Sequence, residues 1–208
     1  MHQFHVGSFH GPSALPQWVA EGLYRLRYQV FHERLAWDVK VSEGLEVDEF
    51  DDPDAVYVVA VDEQARQVHA GWRLRPTTRP YMLKQTFPML LQGREAPVRP
   101  GVWEISRFAV LKTPYAECAN ASYGRLSREL IAQTIQHAVL NGISSYVWVT
   151  SLGVERMTRR LGYRLERWGR PMMLGKVNCV VNQLEMNAHT VSLAASELGR
   201  IATLQEVA

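Results

Sequence analysis

The sequence lacks the features that define several classes of protein. It has two cysteines in 208 residues, Cys118 and Cys179, and neither belongs to a C-x-x-C motif or a Cys/His cluster. No zinc site or disulfide framework is indicated, and we predict two buried free thiols. No run approaches the roughly 20 apolar residues of a membrane span, and the first residues lack a basic segment followed by an apolar one. We therefore expect a cytoplasmic protein without a membrane partner.

Motifs for phosphate and nucleic-acid binding are also missing. The chain has no G-x-x-x-x-G-K-[ST] loop, and a formal charge of +2 is too small to indicate a nucleic-acid partner by itself. The contents of 47% hydrophobic and 21% charged residues are typical of a globular protein. This length suits one domain with a sizeable core. We predict a single domain over 1–208, in which 188–208 is a weak helix or a frayed tail.

Periodicity along the chain predicts an α/β (α+β) fold. An opening strand precedes a helix that starts near Ser13 and Pro16 and ends near Arg34. A β-rich middle section with a hairpin follows, and then strands and helices alternate. The clearest helix has Ser122 as its N-cap and Gly142 after its end. This order fits a mixed twisted sheet with helices on both faces. The apolar stripe of that helix consists of Leu126, Leu130, Ile131, Ile135 and Val139.

Negative charge is concentrated in one loop, LEVDEFDDPD at 45–54. Six of its ten residues are carboxylates, so outside it 23 Lys and Arg face 21 − 6 = 15 acidic residues. Three interpretations compete: a solvated loop, a site for a hard cation, and a pocket for an organic cation. A calcium loop would need a Gly after its third ligand and a final Glu, and both are missing. Magnesium would need substrate phosphates, for which there is no Gly-rich cradle.

A pocket for an organic cation would need carboxylates, aromatic faces and an Arg for any carboxylate on the same molecule. Phe31 and Trp37 lie just before the loop, and Arg27 is one helical turn before Phe31. Glu104 and Arg107 occur together on a predicted strand, where alternation puts them on opposite faces unless a bulge intervenes. Taken singly, the aromatics fit a core, Arg27 fits a surface, and Glu104 with Arg107 fits an ion pair. Their joint spacing favours a site.

Four segments together resemble the LuxI-type acyl-homoserine-lactone synthases, the autoinducer synthases of bacterial quorum sensing. The segments are RYQVFHERLAWDV, EVDEFD, GWRLRPTTRPYMLKQTFP and WEISRFAV, and the likeness extends over most of the chain. Ten ordered positions are far more specific than one short motif. The positions that match the family pattern are Arg27, Phe31, Trp37, Glu46, Asp48, Asp51, Arg73, Glu104, Arg107 and Phe108.

The resemblance implies a fold similar to the GCN5-related N-acetyltransferases and a reaction between S-adenosylmethionine and an acyl thioester on acyl carrier protein. S-adenosylmethionine would be a substrate, so no cofactor and no metal are expected. Glu104 is the first candidate for the base, and Asp48 is the alternative. We expect Arg27, Phe31, Trp37, Asp51 and Arg107 to bind the substrate, with Glu46 and Arg73 in supporting roles.

The same resemblance suggests where the acyl group and its carrier bind. Phe108, Trp148 and Thr150 would line the acyl pocket. Some members that use 3-oxoacyl chains have Thr where this chain has Trp148, so we expect a short to medium chain, unsubstituted or 3-hydroxylated; core packing is the alternative role for Trp148. Arg156 and Arg160, in a stretch with six arginines, would dock the acidic carrier protein. The alternative for that stretch is a solvated basic helix and turn.

Two other functions compete with this one. The first is a GCN5-like N-acyltransferase that uses acyl-coenzyme A on another amine, but the chain lacks a [QR]-x-x-G-x-[GA] loop before the helix near residue 122. The second is a binding protein without activity, whose basic stretch contacts nucleic acid. No nucleic-acid motif supports it, and the acidic loop would repel phosphate, so we expect no nucleic-acid partner.

Overall fold

The computed structural model describes the backbone of residues 4–111 and 116–206, and the side chains of 4–111 and 124–200. The helices are α1 Gln17–Arg27, α2 Met82–Gln85, α3 Ala116–Leu140, α4 Leu152–Arg160 and α5 Ala188–Glu206. The strands are β1 His5–His10, β2 Val41–Ser42, β3 Leu45–Glu46, β4 Val56–Asp62, β5 Gln67–Pro76, β6 Val102–Val110, β7 Ser145–Ser151, β8 Glu166–Leu174 and β9 Val177–Glu185. Short 3-10 helices cover Pro12–Ala14 and Pro88–Leu91, and a π-helix extends α1 over Tyr28–Arg34.

Seven strands form one mixed sheet in the order β1-β4-β5-β6-β7-β9-β8. Within it the pair β6 and β7 is parallel, and the other neighbouring strands pair antiparallel. The parallel pairing runs only from Val102 with Ser145 to Ile105 with Trp148, although both strands continue further. The two strands therefore separate beyond this point, and a cleft opens in the middle of the sheet.

Helices cover both faces of the sheet, as the order of elements predicted. Strand β4 is buried along its whole length, because its alternate side chains enter two different cores. Tyr57, Val59 and Val61 pack against α1, whereas Val56 and Val58 belong to the core that includes α3. No helix in the described part of the chain is long and apolar enough to cross a membrane.

Helix α3 differs from its prediction at its start and in one residue of its apolar stripe. It begins at Ala116, six residues before Ser122, so Ser122 is not its N-cap. Val139 is 53% exposed. The predicted apolar stripe turns gradually around the helix axis, so in the last turn Ala138 rather than Val139 faces the core. Gly142 follows the helix with φ 64°, the left-handed conformation expected after a helix end. Cys179 is buried, and the side chain of Cys118 lies outside the described residues.

Residues 188–206 form a 19-residue helix, which is the first of the two alternatives predicted for this segment. Two other elements were not predicted as they occur. The acidic loop contains a short hairpin, β2 and β3. The basic stretch is not only a helix and turn, because Arg167 and Arg170 lie on the edge strand β8. Gly169 and Pro171 interrupt the pattern of β8, whose register shifts between Trp168 and Met172.

Candidate functional site

Buried arginines neutralise the carboxylates of the acidic loop. Both terminal nitrogens of Arg27 donate hydrogen bonds to Asp51, at 2.8 and 2.9 Å, and its Nε donates to Glu46. Arg73 donates to both oxygens of Asp48, at 2.6 and 3.1 Å, and to Asp51 at 2.8 Å. Arg27 is buried, so its alternative assignment to the surface is wrong. The carboxylates that would stabilise a bound cation are thus already paired with arginines inside the protein.

The electrostatic consequence is clearest at Asp51. Burial alone would raise the pKa of Asp51, but Arg27 and Arg73 outweigh it and hold the pKa well below its usual range. The Tyr57 hydroxyl and the Asp48 amide also donate to this carboxylate, each at 2.9 Å. At Asp48 burial again raises the pKa and Arg73 lowers it, and the net effect is a lowered pKa. A carboxylate with a lowered pKa is a weak base, which disfavours Asp48 in that role.

The other acids of the loop differ in their surroundings. Asp52 is not simply solvated, because both its oxygens accept hydrogen bonds from Arg75, a fully buried residue of β5. Glu49 pairs with Lys40 and Asp54 with Arg79 at the surface. Arg75 also donates to the Phe50 carbonyl at 2.6 Å and thereby ties the loop to the sheet.

A bulge in β6 decides which way Arg107 points. The register between β5 and β6 shifts between Gly71 and Arg73, and Arg107 has φ 58°, a conformation unusual for a residue with a side chain. Strict alternation along β6 would place Arg107 and Glu104 on opposite faces of the sheet. The bulge brings both side chains to the same face. Its Nη2 contacts Glu46 at 2.7 Å and Asp48 at 2.8 Å.

Glu104 is the one acidic side chain among the described residues that line the main cavity. It is 1% exposed, and its two oxygens accept the backbone N–H groups of Met82 at 3.0 Å and Leu83 at 2.6 Å. Burial raises the pKa of Glu104 to about 7, although these two hydrogen bonds oppose the shift. A carboxylate that titrates near neutral pH is suited to accept a proton during turnover.

The main cavity has a volume of about 600 Å³ and lies at the cleft between β6 and β7. Phe31 and Trp37 line it as a stacked pair with ring centroids 5.5 Å apart. Phe31 comes from the π-helix, a form often found at functional sites. The Arg107 guanidinium lies 5.2 Å from the centre of the Phe31 ring. One wall of the cavity therefore combines an acid, a cation and aromatic faces.

A smaller chamber of about 60 Å³ continues from the main cavity. Phe108 and Thr150 line both spaces, as does Ser127 of α3, whereas Trp148 lines the inner chamber alone. The three residues predicted for the acyl pocket thus lie together, and Trp148 also packs in the core with Leu184. The inner chamber is lined mainly by apolar side chains.

Helix α4 joins the cavity to the basic surface. Its inner side chains Val154 and Met157 line the cavity, and Arg156 and Arg160 on the same helix are exposed. The buried Glu155 pairs with Arg159 of α4, at 3.1 Å, and with Arg167 of β8. Two of the six arginines therefore have a structural partner, and Arg156 and Arg160 have none among the described residues.

Comparison with known proteins agrees with this geometry. The family model described as "Autoinducer synthase" matches residues 15–193. An acyl-homoserine-lactone synthase of Aliivibrio fischeri is 40% identical over 176 residues, which cover 84% of this chain and 90% of that protein. The chain belongs to the autoinducer synthase family. Its relatives are named acyl-homoserine-lactone synthases, so the chain is an enzyme of the acyltransferase class, and the resemblance found in the sequence is confirmed.

Solved structures of the autoinducer synthase family have the same fold. The crystal structure of the AHL synthase LasI has a TM-score of 0.81 at 33% identity and covers 92% of this chain and 93% of its own. A structure of BjaI, described as a CoA-dependent acyl-homoserine lactone synthase with SAM and isopentyl-CoA, has a TM-score of 0.79 at 26% identity and covers 94% and 89%. A putative N-acetyltransferase from Lactobacillus plantarum has a TM-score of 0.56 at 16% identity, covers 88% and 99%, and supports the predicted GCN5-like fold.

Sequence reasoning missed three contributors to this candidate site. Arg75 follows the family position Arg73 by two residues, and this spacing along a strand was a usable signal that both point the same way. The backbone N–H groups of Met82 and Leu83 carry no signal in side-chain identity. Ser127 lies inside an amphipathic helix pattern, where a single Ser does not stand out.

Proposed function

We propose that this autoinducer synthase N-acylates S-adenosylmethionine with an acyl group from acyl carrier protein, closes the lactone and releases methylthioadenosine. S-adenosylmethionine is a substrate in this scheme, and no cofactor takes part. The observation that carries the proposal is Glu104, a buried base on the wall of a 600 Å³ cavity, beside Arg107 and an aromatic pair. The BjaI structure with SAM and an acyl-CoA, at 26% identity, supports the choice of substrates.

In the first step the α-ammonium group of S-adenosylmethionine loses a proton to Glu104, directly or through water. The neutral amine attacks the thioester carbonyl, an N–C bond forms, the C–S bond breaks, and the carrier thiol leaves with a proton. Because Glu104 has a pKa of about 7, a large fraction is ionised at neutral pH and still basic enough to accept a proton.

In the second step the substrate carboxylate attacks the carbon next to the sulfonium. A C–O bond forms, the C–S bond breaks, and methylthioadenosine leaves as a neutral molecule because the sulfonium takes the bonding electron pair. No proton has to move in this step. The enzyme has to hold the carboxylate in line with the breaking bond, which is a task of positioning. Arg107, which lines the cavity, is the cation suited to this task.

The sulfonium needs a partner other than the acidic loop. Asp51 is a predicted substrate-binding residue and Asp48 the alternative base. The charges of both pair with Arg27, Arg73 and Arg107, and neither residue lines the main cavity. Phe31 and Trp37 present stacked rings there, and aromatic faces attract an organic cation without a net charge. We assign the sulfonium to these rings, and we assign the acidic loop to holding Arg107 in place.

Acyl carrier protein is our proposed donor because the arginines of α4 lie directly outside the acyl cavity. Arg156 and Arg160 are exposed and could meet an acidic protein, while Val154 and Met157 on the same helix face the cavity. The alternative is acyl-coenzyme A, which the description of BjaI names for that enzyme. The two donors differ in the area of protein that would contact α4.

The test is to incubate the protein with S-adenosylmethionine and either acyl carrier protein or coenzyme A bearing the same acyl chain. Mass spectrometry should detect methylthioadenosine and an acyl-homoserine lactone, with a higher kcat/KM for the carrier protein. Raised salt should reduce the rate with the carrier protein, because exposed charge attraction is screened. No methylthioadenosine with either donor would refute the function, and a preference for coenzyme A would refute the donor alone.

A further inference from the structure

The first turn of α2 holds the proposed base of the reaction. Glu104 extends from β6 to the start of this helix, where the Met82 N–H donates to Oε2 and the Leu83 N–H donates to Oε1. Each carboxylate oxygen thus has one fixed donor from the backbone. Hydrogen bonds to a carboxylate favour its ionised form, and in this buried position they oppose the cost of removing the charge from water.

Met82 also contacts the second charged group of the cavity wall. Its Sδ lies 3.2 Å from Nη1 of Arg107, whose other donors contact Glu46. Met82 is buried and lines the main cavity itself. One residue therefore contacts Glu104 through its backbone and Arg107 through its side chain, and fixes the distance between the two groups.

The segment that carries Met82 is anchored on several sides. Arg75 donates its Nε to the Pro80 carbonyl at 2.9 Å, and the Tyr81 hydroxyl donates to the Pro97 carbonyl at 2.7 Å. Tyr81 and Leu83 are fully buried. Because these contacts fix the backbone on both sides of Met82, its N–H has little freedom to follow a displaced carboxylate.

Other charged groups near Glu104 come from three places in the chain. Arg73 of β5 and Arg107 of β6 favour its ionised form through their charge, and Tyr81 lies close enough for Glu104 to affect its hydroxyl. Arg75 stands opposite Glu104 in the sheet register, but its guanidinium group pairs with Asp52. The hydrogen bonds that Glu104 itself accepts from the described residues are the two backbone ones.

We propose that Met82 is a positioning residue, whose backbone N–H keeps Glu104 ionised and oriented and whose thioether sets Arg107 beside it. This inference rests on the proposed function of Glu104 as the base. It adds a requirement that the side-chain pattern of the family does not contain, namely that residue 82 has a backbone N–H to donate.

Proline offers a direct test, because it removes that N–H and little else from the backbone. Met82 is the first residue of α2, a position that proline favours, and its N–H donates to Glu104 rather than to the helix. Tyr81 is already extended, with φ −148° and ψ 158°, as a residue before proline must be. Met82→Ala is the matched control, since it removes the thioether and keeps the N–H.

The measurement is the pH dependence of kcat/KM for methylthioadenosine release. In Met82→Pro the acid limb should move to higher pH by about one unit relative to Met82→Ala, because a hydrogen bond to a charged group is worth about one unit or more. Both variants should bind S-adenosylmethionine similarly, so the KM values should stay close and kcat should carry the difference. Coincident pH profiles of the two variants would overturn the proposal.

A measurement on the unaltered protein covers the case in which Met82→Pro does not fold. The backbone amide signals of Met82 and Leu83 should titrate in NMR spectra with the same apparent pKa as the acid limb of the rate, because both donate to the titrating carboxylate. Amide signals that do not move across that pH range would overturn the proposal. If the protein releases no methylthioadenosine at any pH, the proposed function fails, while the amide titration still reports on the contact.

Discussion

The replacement Asp51→Asn removes one negative charge from a balanced buried network. Glu46, Asp48 and Asp51 face Arg27, Arg73 and Arg107, three charges of each sign. The amide leaves one buried positive charge without a partner, and its NH₂ group opposes guanidinium donors that now contact the carboxylate at 2.8 to 2.9 Å. Breaking a buried ion pair from one side typically costs about 3 to 5 kcal/mol.

The assay is equilibrium unfolding in urea at pH 7, with Asp54→Asn as the control. Asp54 belongs to the same loop and pairs with Arg79 at 3.2 Å, but both side chains are largely exposed. An exposed pair contributes about 0 to 1 kcal/mol. With an m-value of roughly 3 kcal/mol per molar, the loss at Asp51 lowers the urea midpoint by about 1 M or more. The control midpoint should stay within about 0.3 M of the original by the same conversion.

The pH dependence gives a second check on the same variant. The pKa of Asp51 is depressed in the folded protein, so its contribution is fully present above the unfolded pKa and is lost as pH falls through the folded one. The difference between the original protein and Asp51→Asn should therefore be full at pH 7 and shrink below about pH 4. A variant as stable as Asp54→Asn at pH 7 would refute the account of a balanced buried network.

Four more predictions concern activity. Because the pKa of Glu104 is about 7, kcat/KM should fall roughly tenfold per unit well below pH 7 in initial-rate assays, and a flat profile down to pH 5 would contradict this. Glu104→Gln should lower kcat by about 10² or more in the methylthioadenosine assay while the circular dichroism spectrum is retained, and near-normal turnover would remove Glu104 as the base. Trp148→Ala should shift the lactones found by mass spectrometry to longer chains, and an unchanged distribution would assign Trp148 to the core. Arg156→Ala with Arg160→Ala should raise KM for acyl carrier protein and weaken its salt dependence, while kinetics with acyl-coenzyme A serve as the control.

The class of fold followed from the sequence because periodicity and composition are local. The opening strand, the helix after it and the end of α3 just before Gly142 all come from short-range patterns. The strand β8 was missed because Gly169 and Pro171 weaken its pattern, and its pairing with β9 is a long-range contact. The basic residues of that stretch also have no conformational preference that would distinguish an edge strand from a turn.

The candidate site was identified by resemblance, and its electrostatics required coordinates. The sequence gives the number of carboxylates in the acidic loop, but their pKa values depend on arginines from other elements that point inward. Arg107 is the sharpest example, because alternation along β6 predicts the wrong side and one bulge reverses it. Positive φ at a residue with a side chain has no signal in a single sequence.

Helix α4 has a consequence for how this enzyme can change its product. Its outer arginines and its inner Val154 and Met157 belong to one short rigid unit, tied to β8 through Glu155 and Arg167. Any shift of the helix that resizes the main cavity also displaces Arg156 and Arg160. Under the proposed function, the length of the acyl chain and the fit of the donor are therefore coupled, and a new product that requires α4 to move also requires a matching change in the proposed docking surface.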